Sequence, residues 1–81
     1  MKTSRTKNFI KNTSRLSEAI KKKLEKQLMY LVSGLRHPSL RAKKFDESRG
    51  IWQARVDDHY RFYFLIEDDT YILFNILPHT D

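Results

Sequence analysis

Three runs of aromatic and β-branched residues follow one another closely in the second half of the chain. They extend from Ile51 to Val56, from Tyr60 to Glu67 and from Thr70 to Leu77. Residues of these types are enriched in β-strands, and the intervening Asp57-Asp58 and Asp68-Asp69 pairs are typical of turns. The sequence therefore predicts two tight hairpins in an antiparallel sheet.

The first half of the chain carries a helical pattern. Apolar residues recur there every three or four positions, at Leu16, Ile20, Leu24, Leu28, Leu31 and Leu35. This spacing marks one face of an α-helix. Ser14 or Ser17 can cap its start, and Gly34 stands where a helix commonly ends with a positive φ. The helix is predicted to pack its apolar face on the sheet.

Shorter elements complete the predicted fold. Lys7 to Asn12 is predicted to form a short helix preceded by a first strand, and Ala42 to Phe45 to add a strand before the hairpins. Residues 36–39 form a connector, because Pro38 disfavours helix at the residue before it. The expected fold class is α+β, with N-terminal helices packed on an antiparallel sheet of about four strands.

The length and composition limit the class of protein. With 81 residues and 40% hydrophobic content, the chain suffices for one modest core, and a single domain over residues 1–81 is expected. It has no cysteine for disulfides or thiolate metal sites, so a reducing cytoplasm is the natural setting. No apolar run approaches the ~18 residues that span a bilayer, and no signal-peptide core follows the lysine-rich start. We therefore expect a soluble, cytoplasmic protein without a membrane partner.

The formal net charge of +6 is unevenly distributed. Residues 1–44 carry thirteen Lys or Arg against two acids, a net charge of +11, whereas residues 45–81 carry three Arg against eight acids, a net charge of −5. Clustered cations release counterions from phosphates and attract acidic proteins. The basic half therefore indicates a polyanionic partner, either a nucleic acid or an acidic protein.

The alternation of side chains along a strand sorts the residues by sheet face. The predicted core face carries Trp52, Ala54, Val56, Tyr60, Phe62, Phe64, Ile66, Ile72, Phe74 and Ile76. The other face carries Gln53, Arg55, Arg61, Tyr63, Leu73, Asn75, Leu77 and His79. Arg55, Arg61 and His79 are therefore predicted to converge on the face that the helices leave open.

In this order and spacing, three segments resemble the RelE/ParE toxin superfamily. They are RHPSLRAKKF at residues 36–45, IWQARVDDHYRFYFLIEDDTYILF at residues 51–74 and PHTD at residues 78–81. The resemblance covers the chain more loosely from about Lys7 onward. It implies a compact toxin domain partnered by an antitoxin. In the RelE branch it also implies an mRNA interferase, which cleaves messenger RNA in the ribosomal A site.

The resemblance also implies roles for individual residues. Arg61 matches the arginine of the family's Tyr-Arg pair, and Arg55 matches a basic residue on the preceding strand. His79 falls in the C-terminal region where many members place a catalytic basic or imidazole group. Lys43 and Lys44 match a basic strand start, and they are expected to position the RNA backbone.

The chemistry of these residues is compatible with RNA cleavage. RNA is cut without a metal or cofactor when its 2′-hydroxyl attacks the adjacent phosphate, and neither is expected here. The step needs proton transfer at the 2′ and 5′ oxygens and cations at the charged phosphorane. His79 suits proton transfer because imidazole titrates near neutral pH, and Arg55 and Arg61 suit phosphate binding because a guanidinium engages two oxygens. Tyr63 is expected to stack on a base.

Two other functions remain open for such a sequence. A ParE-like toxin shares the fold but inhibits DNA gyrase without cutting RNA. A catalytically degenerate binding module is supported by the last strand, where residues 74–77 replace the arginine and glycine that many relatives have there. Arg55 and Arg61 also have a purely structural alternative, which is ion pairing with nearby acids on the sheet.

Overall fold

The computed structural model describes residues 1–79, in which two α-helices and one short 3₁₀ helix accompany a five-stranded sheet. In chain order the elements are β1 (Lys2–Arg5), α1 (Lys7–Ser14), α2 (Glu18–Ser33), the 3₁₀ helix (Pro38–Leu40), β2 (Lys43–Asp46), β3 (Ile51–Arg55), β4 (Tyr60–Glu67) and β5 (Thr70–Pro78). The strands lie in the order β1-β5-β4-β3-β2. The α+β class is therefore confirmed.

The sheet differs from the expected one of about four antiparallel strands, because it has a fifth strand that pairs in parallel. β1 lies beside β5, with Lys2 opposite Thr70 and Arg5 opposite Leu73. All four residues of β1 are exposed, so no apolar alternation reveals from the sequence how this strand pairs. The other neighbouring strands pair antiparallel, as predicted.

The two helices begin at side-chain caps. The Thr6 hydroxyl accepts the Phe9 amide hydrogen at the start of α1, and the Ser17 hydroxyl accepts that of Ile20 at the start of α2. Each bond satisfies a backbone donor that the helix leaves unpaired, which stabilises the helix by about 1 kcal/mol. α2 ends at Ser33 with Gly34 as its C-cap, as predicted, but the backbone conformation of Gly34 differs from the expected one. Gly34 has a φ of 173°, so the chain leaves the helix in extended backbone rather than in the left-handed turn.

The core lies between the helices and one face of the sheet. The largest fully buried side chains are those of Phe9, Leu24, Leu31, Leu40, Phe62, Phe64 and Leu73. The predicted apolar face of α2 is confirmed, since Leu24, Leu28 and Leu31 are buried and the remaining members pack against the core. Full burial of such side chains contributes roughly 1.5–3 kcal/mol each. On β4 the predicted stripe ends early, because Ile66 is 37% exposed.

A β-bulge at Phe74 reverses the faces of β5. Tyr63 pairs with Asn75 while Phe64 pairs with Leu73, so Phe74 is an extra residue without a partner on β4. The extra residue shifts the alternation by one position. Of the predicted core residues on this strand, Ile76 is therefore buried whereas Ile72 and Phe74 are not, and the core contains instead Tyr71 and Leu73.

The helix α1 holds this bulge in place. The side-chain amide of Asn8 donates to the Phe74 carbonyl oxygen at 3.1 Å, and that of Asn12 donates to Asn75 Oδ1 at 2.9 Å. The first bond pairs a backbone carbonyl oxygen of the bulge, and the second fixes the Asn75 side chain next to it. Within residues 1–79, neither helix has the length and the apolar composition needed to cross a membrane.

Candidate functional site

A basic pocket lies on the sheet face opposite the core. Its volume is about 200 Å³, and it is lined by Arg41, Lys43, Gln53, Ala54, Arg55, Arg61 and His79. Four of these residues are arginines or lysines, and none of the described residues that line the pocket is acidic. The three residues that strand alternation predicted to converge, Arg55, Arg61 and His79, all line the pocket.

Arg55 and Arg61 lie directly opposite each other on β3 and β4. Like charges on directly paired residues repel each other, so this arrangement requires compensation. The Arg55 guanidinium forms an ion pair with Asp58. The Arg61 guanidinium donates instead to the carbonyl oxygens of Asp57 at 2.6 Å and Tyr60 at 3.0 Å. The structural alternative is therefore observed for Arg55, whereas Arg61 is oriented by backbone carbonyls and forms no ion pair with a carboxylate of residues 1–79.

The turn between β3 and β4 is fixed by Asp57. Its Oδ1 accepts the amide hydrogens of His59 at 2.8 Å and Tyr60 at 2.9 Å, and its Oδ2 lies 3.5 Å from Lys23 Nζ. Burial raises the pKa of Asp57, but the two amide bonds and Lys23 outweigh burial and leave the pKa below its ordinary value. Asp57 therefore stays ionised at neutral pH and holds the turn whose carbonyl oxygens orient Arg61.

The two adjacent lysines of β2 lie on opposite faces of the sheet. Lys43 pairs with Gln53 and lines the basic pocket. Lys44 pairs with Trp52, and its Nζ lies 5.1 Å from the centroid of that ring. Successive side chains of a strand point oppositely, so the structure brings only Lys43 to the other predicted site residues.

His79 lies at the rim of the basic pocket. Its side chain is exposed, and its backbone amide donates to the His59 carbonyl oxygen at 2.6 Å. Thr80 and Asp81, the last two residues of the PHTD segment, lie outside the described residues. Within residues 1–79, no group of three His, Asp or Glu side chains is arranged to hold a metal ion.

Two residues of this region were not identified from the sequence. Arg41, directly after the 3₁₀ helix, has a φ of 46° and lines the basic pocket. Gln27 is 4% exposed, and its Nε2 donates to the carbonyl oxygens of Ser39 at 3.0 Å and Arg55 at 2.8 Å. Gln27 thus ties the loop before Arg41 to β3. The sequence feature that indicates burial of Gln27 is its position on the apolar face of α2, three residues after Leu24.

Tyr63 is close to the basic pocket but does not line it. Its hydroxyl accepts a hydrogen bond from Gln53 Nε2 at 3.1 Å, and Gln53 lines the pocket. The ring packs against Phe45 and Phe74, with centroid distances of 5.0 and 6.5 Å. The structure therefore places Tyr63 in a neighbouring aromatic hollow on the same face.

Comparison by sequence found no matching family model and no matching curated protein. Comparison of structures found several toxins. A YoeB/ParE toxin from Agrobacterium tumefaciens is 13% identical, with a TM-score of 0.81 over 99% of this chain and 100% of that one. RelE–RelB complexes from Escherichia coli and Pyrococcus horikoshii give TM-scores of 0.74 and 0.73 at 11% and 16% identity. They cover 99% and 95% of this chain and 98% and 92% of those chains. The fold of the RelE/ParE superfamily is therefore shared.

Proposed function

We propose that this chain, which has the RelE/ParE fold, is a single toxin domain over residues 1–81 of a type II toxin–antitoxin system. Its activity is that of a ribosome-dependent endoribonuclease, which cleaves messenger RNA in the cytoplasm and stops translation. The supporting observation is the basic pocket, in which Arg55, Arg61 and Lys43 stand beside His79. This set combines phosphate-binding cations with a group that can transfer protons near neutral pH.

Three residues of the basic pocket take part directly in the proposed reaction. The RNA 2′-hydroxyl loses its proton and attacks the adjacent phosphorus, the bond to the 5′ oxygen breaks, and a proton goes to that oxygen. Arg61 offsets the charge of the phosphorane, because backbone carbonyls hold its guanidinium in place before the substrate binds. Arg55 joins it when its ion pair with Asp58, a side chain that is 78% exposed, opens. His79 takes the proton from the 2′-hydroxyl as that oxygen attacks and then, as an imidazolium, returns it to the 5′ oxygen as that oxygen leaves.

The size of the basic pocket supports a requirement for the ribosome. At about 200 Å³ it is smaller than the ~300–1,000 Å³ typical of sites that enclose a whole small molecule. The basic pocket itself encloses a phosphate and its immediate surroundings, and the rest of a bound nucleotide lies outside it. A second surface is then needed to align the 2′-hydroxyl with the phosphate, and alignment of reacting groups contributes strongly to rate.

An antitoxin is the proposed regulatory partner, and two of the similar structures are RelE–RelB complexes. We infer an acidic, partly disordered segment, because residues 1–44 carry a net charge of +11 and such segments cover large surfaces when they fold on binding. Co-expression with the product of the neighbouring gene, followed by purification in high and low salt, tests this part. A neighbour that never co-purifies would argue against it.

Inducible expression of the wild-type chain in a bacterium tests the activity. Growth and the 5′ ends of messenger RNA are recorded together. We expect growth arrest accompanied by new cuts that keep a fixed register with codons, because cleavage occurs in the ribosome. Arrest with intact messenger RNA and damaged DNA would indicate the ParE-like gyrase inhibitor. Absence of arrest with a folded protein would indicate an inactive binding module.

The lysine pair of β2 offers a matched comparison. Lys43→Ala is expected to reduce the number of mapped cuts about tenfold to a hundredfold, because a charge-assisted contact contributes about 1.5–3 kcal/mol. Lys44→Ala is expected to have a much smaller effect, since Lys44 lies on the other face beside Trp52. The comparison uses cut frequencies at equal protein levels. Equal losses in the two variants would contradict the assignment of Lys43 to the RNA site.

A further inference from the structure

Three aromatic rings, one exposed and two half-buried, form a cluster on the same sheet face as the basic pocket. Phe45 is 57% exposed and meets Tyr63 edge to face, and Phe74 lies on the other side of Tyr63. We call these three residues the aromatic cluster. It borders a hollow of about 180 Å³ that is also lined by Arg49, Ile51, Asn75 and Leu77. A large aromatic ring that stays mostly in water is not explained by core packing.

Two β-bulges carry this cluster. On β2, Lys44 pairs with Trp52 and Asp46 pairs with Ile51, which leaves Phe45 as an extra residue. On β5, Phe74 is the extra residue in the same way. Bulges redirect side chains and are frequent beside active sites. Two independent bulges thus bring aromatic side chains to Tyr63, the central member, from strands on either side of β3 and β4.

The aromatic cluster is continuous with the basic pocket. Tyr63 and Arg61 are two residues apart on β4, which separates their Cα atoms by about 7 Å along one face. Gln53 lines the basic pocket, and its side-chain amide donates to the Tyr63 hydroxyl. A phosphate held at Arg61 therefore has an aromatic surface within the reach of its own nucleotide.

We propose that the aromatic cluster binds the nucleobase next to the phosphate held in the basic pocket. This inference rests on the proposed function. Every nucleobase has a π-face that stacks on aromatic side chains, and stacking favours affinity without strict sequence preference. The cations of the adjoining basic pocket attract phosphates, so they favour RNA over an apolar protein segment as the ligand of the cluster. Phe45 provides the most accessible ring, so it is predicted to contribute most to stacking.

A short single-stranded RNA tests this inference directly. The probe is a tetranucleotide with 2′-O-methyl groups, which blocks the attacking hydroxyl, and its partner lacks one internal base. We expect the wild-type chain to bind the complete probe about fivefold to a hundredfold more tightly than the abasic one. Phe45→Ala should lose most of that difference and keep its affinity for the abasic probe. Met29→Ala, which removes a 73% exposed apolar side chain of α2, should behave as wild type.

Two results would overturn the inference. One is equal affinity of the wild-type chain for both probes, including no measurable binding of either. The other is a Phe45→Ala variant that still distinguishes them. If Phe45→Ala instead weakens the antitoxin complex alone, the aromatic cluster is a protein interface. Mapped messenger-RNA cuts in cells separate this outcome from failure of the proposed function, because cuts by the wild-type chain support the nuclease even when both probes bind equally.

Discussion

Arg61→Ala is expected to abolish growth arrest and the associated messenger-RNA cuts while the protein stays folded. The Arg61 guanidinium is held by the carbonyl oxygens of Asp57 and Tyr60, so its charge is already in place when a phosphate enters. Removal of one pre-positioned donor to a transition-state oxyanion costs about 10²–10³-fold in rate. A toxin slowed by that factor should no longer deplete messenger RNA faster than it is made. Growth curves and mapped 5′ ends measure the loss.

Controls separate this effect from damage to the fold. The carbonyl oxygens released by Arg61→Ala can turn to water, so the free energy of unfolding should fall by only about 1 kcal/mol. Arg61→Lys keeps the charge but not the planar fork, and it should recover only part of the activity. Arg15→Ala removes an exposed arginine at the end of α1 and should leave cutting unchanged. Wild-type cutting by a folded Arg61→Ala protein would contradict the assigned role.

The sequence predicted the parts of the fold that follow from local periodicity. The helix face and the hairpins depend on residues a few positions apart, and those predictions hold. The alternation on β5 failed because the Phe74 bulge depends on α1, whose Asn8 and Asn12 come from the far end of the chain. The pairing of β1 was likewise beyond prediction, since parallel pairing with β5 satisfies its backbone while its side chains remain exposed.

In the candidate site, too, the features that follow from local alternation were predicted and the others were not. Arg55 and Arg61 were placed on one face by simple alternation, and the structure shows them as a direct cross-strand pair. Lys43 and Lys44 were grouped by adjacency in the sequence, and a strand necessarily separates such neighbours. Arg41 reaches the basic pocket through a left-handed backbone conformation, which no pattern of residue types around it indicates.

Phe64→Ala is expected to lower the free energy of unfolding by about 3–5 kcal/mol, which is the range for removal of a fully buried phenylalanine. The Phe64 ring is 0% exposed and packs against Phe62, Trp52 and Tyr71, with centroid distances of 5.7, 6.3 and 5.5 Å. The total free energy of unfolding of a small domain is about 5–15 kcal/mol, so the variant should be close to unfolding. Urea denaturation followed by Trp52 fluorescence measures the change.

The Phe64→Ala variant tests whether the two faces of β4 have different roles, one in stability and the other in RNA cleavage. Along β4, Phe62 and Phe64 face the core, whereas Arg61 and Tyr63 face the open side of the sheet. Phe64→Ala should therefore lose activity in proportion to its unfolded fraction, and Arg61→Ala should lose it as a folded protein. Ile66 lies on the same strand but is 37% exposed, so Ile66→Ala should lower the free energy of unfolding by roughly 1 kcal/mol or less. An unchanged urea midpoint for Phe64→Ala would contradict the core assignment, because removal of a buried ring must lower the free energy of unfolding.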